Sequence, residues 1–104
     1  DQSRDLCFVD NVVEANILAA LASGKFKGEP FNIACGDRVT NNEILDYLKC
    51  KFSNRFTVVE APFREGDVMH TQANISKAQN VLGYQPRVMF WDGLERTLKW
   101  HGLS

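Results

Sequence analysis

The chain has 104 residues, of which 44% are hydrophobic and 24% charged, and its formal net charge is −1 at pH 7. This length accommodates one domain with one modest core, so we expect residues 1–104 to form a single domain. The near-neutral charge lacks the basic excess of a nucleic-acid-binding protein, and no apolar run is long enough for a transmembrane helix. Neither nucleic acid nor a membrane is therefore an expected partner.

The first third of the sequence predicts a strand followed by a helix. Residues 6–9 are a short apolar run that favours a strand, and Asp10 or Asn11 can cap the helix after it. The apolar residues that then recur at helical spacing include Val13, Ile17 and Leu21. Because apolar residues surround much of this helix, it needs cover on two sides. We expect this stripe to be exposed apolar surface that a second copy or a further domain can cover.

The middle of the chain predicts two further strands with a helix between them. Residues 31–34 and 56–61 are rich in aromatic and β-branched residues, and Pro62 stops the second run. Thr40 and Glu43 have the spacing of a capping box, in which side chains and backbone at a helix start satisfy each other's hydrogen bonds. A run of apolar residues at helical spacing follows them, so we expect the second helix there.

The last third predicts two shorter helices. One begins near Asn74 or Ser76 and ends at residues 82–83, where glycine favours a helix stop. The other is the last helix, and Asp92 and Glu95 are a second capping-box candidate at its start. The whole order predicts an α/β architecture with about three short strands and four helices. Three short strands are few for a self-sufficient sheet, which indicates part of a larger structure.

Two arginines with neighbouring carboxylates are the strongest candidates for a binding site. Arg4 precedes the first predicted strand, and Arg64 follows the third in a polar loop that also contains Asp67. Guanidinium groups bind phosphate oxygens through paired N–H donors, so two converging arginines suit a diphosphate, and Asp67 can accept from sugar or ribose hydroxyls. The alternative is that both arginines are solvated and pair with Asp5 and Glu65.

Six short motifs in a fixed order resemble one protein family. They occupy residues 4–13, 31–36, 63–68, 73–78, 82–86 and 91–94. Together they resemble the extended short-chain dehydrogenase/reductases, over the chain from Arg4 to about Trp100. Among the subfamilies, the resemblance is nearest to UDP-sugar 4-epimerases of the N-acetylhexosamine or uronate kind.

The resemblance implies a C-terminal, substrate-binding portion of that fold, with no complete Rossmann domain. It implies that Arg4 and Arg64 bind the diphosphate of a UDP-sugar or related nucleotide sugar, and that Asp67 contacts the ribose or orients an arginine. NAD is the family's cofactor, but its glycine-rich loop and catalytic Tyr-x-x-x-Lys belong to an N-terminal half that this sequence lacks. We therefore expect no cofactor in this chain and no activity from it alone. The alternative is a truncated, stand-alone binding or self-associating module, such as a homodimer.

The remaining reactive residues give weaker signals. Tyr47 and Lys51 have Tyr-x-x-x-Lys spacing, but they lie in the wrong half and no glycine-rich loop accompanies them, so an ordinary charged helix face explains them better. His70 and His101 have no partner at metal-ligand spacing, so no metal site is expected. We expect His101 to be a partly buried packing residue. Three widely spaced cysteines favour reduced thiols in a cytoplasmic protein.

Overall fold

The computed structural model describes residues 1–22, 24, 26–53 and 55–103, and it contains four helices and a two-stranded sheet in that part of the chain. The elements in chain order are β1 (Ser3–Arg4), α1 (Val9–Leu21), β2 (Val39–Thr40), α2 (Asn41–Phe52), α3 (Ser76–Leu82) and α4 (Phe90–Trp100). The prediction of four helices with a few short strands is thus confirmed. None of the helices in these residues is long and apolar enough to cross a membrane.

The sheet is short and is centred on β1. Ser3 pairs with Thr40 and Arg4 with Val39 in antiparallel register, while a single parallel bridge joins Ser3 to His70. β1 therefore brings together two segments that lie far apart in the sequence, and the candidate site forms around it.

The main core lies between α1 and α3. Small residues allow the close approach of the two helices: Ala15 on α1 and Ala78 on α3 are both buried. Tyr84 is fully buried beside them, and its hydroxyl donates to the carbonyl oxygen of Ala34 at 2.8 Å. This hydrogen bond satisfies the buried hydroxyl and fixes the segment that precedes β2.

The two locally encoded helix ends form as predicted. The Thr40 hydroxyl accepts from the backbone N–H of Glu43 at 3.1 Å, as the first capping box predicts. The Glu43 carboxylate accepts from the same hydroxyl at 3.1 Å, where a full capping box would have it accept from the Thr40 backbone N–H. Gly83 ends α3 in the left-handed conformation, at φ 68°, and its N–H bonds back to the helix.

The second capping box is wrong, and so is the cap of α1. The last helix already begins at Phe90, so Asp92 lies inside its first turn and pairs with Arg96 one turn later, at 3.1 Å. The residue before α1 is Phe8, which gives no side-chain cap, while Asn11 lies inside the helix with its side chain buried in the core. Both helices therefore begin earlier than predicted and without a side-chain cap.

The three predicted strand positions are wrong. Residues 6–8 carry no strand, because the strand falls earlier, at Ser3–Arg4, and α1 begins at Val9. Residues 31–34 have no strand partner, and the carbonyl of Ala34 bonds to a tyrosine side chain instead. Residues 56–61 are largely exposed and form no strand in the described chain. A strand-forming sequence needs a neighbouring edge, and here that edge is absent for all three runs.

The described chain is flat, and one face of α1 is bare. The principal extents are 52 × 33 × 17 Å and the radius of gyration is 16.6 Å, against about 13 Å for a globule of this length. The accessible surface of 7721 Å² exceeds by about 1,800 Å² the value of about 5,900 Å² typical of a monomer of this mass. The exposed stripe of α1 comprises Val9 (59%), Val13 (50%), Ile17 (53%) and Leu21 (77%). The prediction of exposed apolar surface along Val13, Ile17 and Leu21 is confirmed.

Candidate functional site

An open groove of about 660 Å³ lies where β1, the start of α2 and the loop before residue 70 meet. Its lining comprises Asp1, Gln2, Asn41, Asn42, residues 60–64, Asp67 and Met69. Two of the three predicted site residues, Arg64 and Asp67, line this groove, and the third, Arg4, touches its wall through Asp67. The structure therefore brings the predicted residues to one place.

Arg4 is tied to the loop by both of its terminal nitrogens. Its Nη1 donates to the carbonyl oxygens of Ser3 at 2.7 Å and Met69 at 3.1 Å. Its Nη2 donates to the Asp67 carboxylate at 3.0 Å and to the carbonyl oxygen of Val68 at 2.6 Å. Arg4 thus joins β1 to residues 67–69 by charge-assisted hydrogen bonds, which are the strong kind.

Asp67 is held from both sides. Its Oδ1 accepts from Arg4 and from the backbone N–H of Val68, and its Oδ2 accepts from Gln2 Nε2 at 3.0 Å. The hydrogen bond from Gln2 and the charge of Arg4 hold the pKa of the Asp67 carboxyl below its usual value. The carboxylate stays ionised across the physiological range, so the ion pair with Arg4 persists there.

Asp5 does not pair with Arg4, which corrects the solvated alternative for this arginine. Its carboxylate instead accepts from the backbone N–H groups of Cys35 at 3.0 Å, Gly36 at 2.9 Å and Ala73 at 3.2 Å. Adjacent residues therefore brace opposite sides of β1: Arg4 holds residues 67–69, and Asp5 holds residues 35–36 and 73. In the sequence, the only signal of this arrangement is the Arg-Asp pair of the first motif.

Among the described residues that line the groove, Arg64 is the one with a cationic side chain. It begins a turn in which its carbonyl oxygen accepts from the backbone N–H of Asp67 at 3.0 Å. Gly66 lies within this turn at φ 80°, a conformation that a side chain would strain. Within the described residues the Arg64 side chain has neither an ion pair with Glu65 nor any other hydrogen bond. It is exposed and lines the groove.

His70 anchors the loop instead of offering chemistry. Its Nδ1 lies 2.7 Å from the Ser3 hydroxyl, and Ser3 is only 2% exposed. The backbone N–H of Ser3 donates to Met69, and that of Thr71 donates to Ser3. The pair has the hydrogen bond of a nucleophile and its base, but a buried hydroxyl is closed to substrate. It fastens residues 69–71 to β1.

The Tyr47 and Lys51 pair lies in a structural contact between α2 and α4. Lys51 Nζ donates to both carboxylate oxygens of Glu95 at 3.1 Å, and the Tyr47 ring lies 5.1 Å from that of Trp91. These partners supply an ordinary helix-packing role for both residues.

The other reactive groups do not form a second binding site in the part of the chain that the structure describes. The three cysteines are unpaired; Cys35 is buried, Cys50 is exposed and Cys7 lies between these extremes. Burial, with Cys7 nearby, raises the pKa of the Cys35 thiol to about 11. His101 is exposed, which corrects the prediction that it is a partly buried packing residue. Over the residues described, no group of three metal-ligating side chains occurs.

Comparison with known sequences gives consistent relatives, although no family model matches the chain. A putative UDP-glucose 4-epimerase of Methanocaldococcus jannaschii is 31% identical over 96% of this chain and 31% of its own length. UDP-glucuronate 4-epimerase 1 of Arabidopsis thaliana is 32% identical over 97% of this chain and 26% of its own length. The chain thus spans about a third or less of the relatives that it matches.

Solved structures give the same result for the fold. MoeE5, solved in complex with UDP-glucuronic acid and NAD, is 32% identical with a TM-score of 0.84, over 97% of this chain and 33% of that one. UDP-glucuronic acid 4-epimerase from Bacillus cereus, in complex with the same two molecules, is 29% identical with a TM-score of 0.80, over 90% of this chain and 30% of that one.

The fold, with its short sheet and four helices, is that of one third of an NAD-dependent epimerase of nucleotide sugars. By sequence and fold, the chain belongs to the extended short-chain dehydrogenase/reductases and corresponds to their C-terminal portion. Its matched relatives include UDP-glucose and UDP-glucuronate 4-epimerases.

Proposed function

We propose that this chain is the nucleotide-diphosphate-sugar-binding portion of an NAD-dependent sugar epimerase or dehydratase, and that it is catalytically incomplete on its own. The observation that carries the proposal is the groove of about 660 Å³ into which the turn beginning at Arg64 faces. The solved relatives crystallised with UDP-glucuronic acid support a nucleotide sugar as the ligand.

Arg64 is the direct diphosphate ligand in this proposal. An exposed guanidinium without a competing carboxylate has its planar donor edge available for phosphate oxygens. Arg4 and Asp67 complete this wall of the groove, and the carboxamides of Asn41 and Asn42 supply donors and acceptors for sugar or base.

The described residues do not suit a dinucleotide, so the hydride chemistry belongs elsewhere. No glycine-rich loop joins β2 to α2, and the first amides of α2 already bond within the chain: Asn41 to Gln2, Asn42 to Asp1 and Glu43 to Thr40. Pyrophosphate recognition at a helix start needs those amides free. Within this proposal the chain itself holds no NAD. The unpaired thiols suit a reducing compartment, which supports a cytoplasmic location.

A partner body completes the fold in this proposal. The excess of about 1,800 Å² on this one chain is about twice the roughly 800 Å² that each partner buries in a standard interface, and it fits the larger interfaces of obligate complexes. The bare stripe of α1 supplies its apolar centre, because Val13, Ile17 and Leu21 are large, exposed and in line. The proposed partner is the N-terminal, cofactor-binding portion of the family's fold.

The same stripe favours a second candidate function. A stand-alone chain can cover Val13, Ile17 and Leu21 by pairing with a second copy of itself, which makes it a self-associating binding module. The two candidates differ in what the groove does, since only the first requires a nucleotide ligand.

Calorimetric titration with UDP, GDP, dTDP and a UDP-sugar tests the first candidate. Half a site should bind UDP with a Kd of about 1 mM, and Arg64→Ala should abolish the measurable heat. Arg87→Ala is the matched control, because it removes the same charge from a side chain that pairs with Glu14 outside the groove. A well-folded protein that binds none of the four ligands supports the self-associating module instead.

A further inference from the structure

We infer that Cys7 and Cys35 form a redox-sensitive switch, in which a peroxide converts their two thiols into one intramolecular disulfide. The bond joins the segment before α1 to the segment before β2, and a small dithiol reverses it. Disulfides of this kind in a reducing compartment are transient and sense oxidants. No nucleotide takes part, so the switch stands or falls separately from the proposed function.

The backbone before α1 runs beside the backbone before β2. The Asp5 carboxylate accepts from the backbone N–H of Cys35 at 3.0 Å, and the Cys35 Sγ donates to the Leu6 carbonyl oxygen at 3.5 Å. One trans peptide separates that oxygen from the Cα of Cys7, so the Cys35 Sγ lies at most about 6.3 Å from this Cα. A disulfide joins Cα atoms that are about 4.4–6.8 Å apart, so the two segments are close enough to be bridged.

The two thiols are also neighbours through their side chains. Burial raises the pKa of the Cys35 thiol and of the Tyr84 hydroxyl, and the Cys7 thiol beside them raises both further. The Cys7 side chain therefore points towards the buried pair and not away from it. The fold thus brings the two sulfur atoms together, and no large movement is needed for them to react.

The two thiols differ in their access to an oxidant. Cys35 is 8% exposed, whereas Cys7 is only partly buried and lines an open groove of about 210 Å³ between residues 6–9 and α4. Hydrogen peroxide is little larger than water, which takes up about 30 Å³ in the liquid, so this groove admits it to Cys7. A buried thiol with a raised pKa reacts slowly with oxidants. Cys7 therefore meets the peroxide, and Cys35 reacts with the product.

The reaction consumes one hydrogen peroxide for each disulfide. The Cys7 thiolate attacks one peroxide oxygen, the O–O bond breaks, and a sulfenic acid forms while the leaving oxygen takes up the thiol proton and departs as water. The Cys35 sulfur then attacks the Cys7 sulfur, the S–O bond breaks, and the hydroxyl leaves as a second water with the Cys35 proton. The two thiols lose two electrons, which the peroxide gains. Thiol–disulfide exchange with a dithiol restores both thiols.

Peptide mapping after peroxide treatment tests the bond itself. Cys50→Ser serves as the parent protein, because Cys50 is exposed and its removal prevents bridges through it between molecules. The folded parent is treated with hydrogen peroxide, blocked with a thiol reagent and digested with trypsin. We expect an intact mass lower by two hydrogen atoms, and the tryptic peptides 5–25 and 28–38 joined until dithiothreitol is added. Free thiols that survive, or sulfinic acids on separate peptides, overturn the inference.

Two further variants of the same parent test the order of the steps. With Cys35→Ser, Cys7 should stop at the sulfenic acid, which dimedone traps. With Cys7→Ser, the Cys35 thiol should react at least about tenfold more slowly with peroxide, because it is buried. Circular dichroism shows whether each variant is folded. Equal rates in two folded variants contradict the assigned roles.

The melting temperature of the parent gives a readout that needs neither variant to fold. A disulfide between Cys7 and Cys35 closes the loop of residues 7–35 in the unfolded chain, so the oxidised parent should melt about 10 °C above the reduced one. An oxidised parent that melts at the same temperature or lower means that the bond strains the native structure. That result overturns the switch, because the fold would then not hold the two thiols in place for it.

Discussion

Helices α1 and α4 differ in what they present on their outer sides. The outer side of α4 is mostly charged, with Asp92, Glu95, Arg96 and Lys99 exposed, although Trp100 at the end of the helix is 82% exposed. The outer side of α1 carries a line of exposed apolar residues, although its inner side already packs on α3. The charged residues therefore suit most of α4 to water, whereas α1 is suited to lie between two layers.

A substitution on the inner side of α1 should have the largest effect on the free energy of unfolding. Asn11 is 1% exposed, and its side chain accepts from the N–H groups of Arg87 and Val88 and donates to the Val88 carbonyl oxygen at 2.7 Å. Asn11→Ala leaves these groups without partners, so we expect the free energy of unfolding to fall by about 3 kcal/mol. Urea denaturation followed by circular dichroism measures the change. A loss under about 1 kcal/mol would mean that the 87–88 segment is held by its packing alone.

A substitution on the inner side of α4 should have the second largest effect on the free energy of unfolding. Gly93 lies so close to Phe8 that an added Cβ would be 2.8 Å from the Cβ of Phe8. Gly93→Ala therefore forces the helix away from residues 6–9, and we expect it to cost about 2 kcal/mol despite alanine's higher helix propensity. At Gly102 an added Cβ would have no neighbouring atom within 4 Å, but the backbone φ is 76°. Gly102→Ala therefore measures backbone strain without a clash. A loss below about 0.5 kcal/mol in Gly93→Ala would contradict close packing of α4 against Phe8.

A smaller effect should appear at alkaline pH, beside the inner side of α1. Burial raises the pKa of the Cys35 thiol from 9.0 to about 11. The folded protein keeps this thiol protonated where the unfolded chain loses the proton, so stability is full below pH 9 and declines as the pH rises towards 11. Thermal melts from pH 8 to 11 should show this decline, and Cys35→Ala should make it shallower. The part that remains is due to Tyr84, whose pKa burial also raises. The exposed Cys50 should react first with a thiol reagent, and Cys50→Ala should leave the melting profile unchanged.

Substitutions on the outer sides of α1 and α4 should change stability least, and they should differ most clearly in their effect on self-association. Ile17→Glu on α1 and Lys99→Glu on α4 both lie at exposed positions, so each should alter the free energy of unfolding by about 0.5 kcal/mol or less. If α1 is an interface between copies, the wild type and Lys99→Glu associate at tens of micromolar in sedimentation, and Ile17→Glu does not. A monomeric wild type contradicts the self-associating module and leaves the cofactor-binding portion as the occupant.

The sequence correctly predicted the helix ends that depend only on neighbouring residues. The Thr40 cap at Glu43 and the glycine stop at Gly83 need only residues within one turn, and both are present. The predicted strand positions were wrong because a strand is defined by its partner, and the partners of β1 lie 35 to 67 residues away. The spacing of apolar residues could not reveal that the first strand consists of the two residues Ser3 and Arg4 and not of the four residues 6–9.

The site was predicted at the level of residues but not of roles. Arg64 and Asp67 line the groove because they share one turn, which the motif fixes. The pairing of Arg4 with Asp67 across 63 residues carries no local signal, nor do the parts played by Gln2 and Asp5. These depend on how β1 is placed between its two neighbours.

The segment from Gln2 to Asp5 has a consequence for folding. Apart from one contact between neighbours, the side-chain hydrogen bonds of these four residues within the described chain reach residues at least 30 positions later. Such non-local closure carries a high entropic cost and is slow compared with helix formation. During synthesis, residues 2–5 must wait for residues 67–73 before all of these bonds can form. The helices can form earlier, and the groove that would receive a nucleotide is among the last features of the chain to exist.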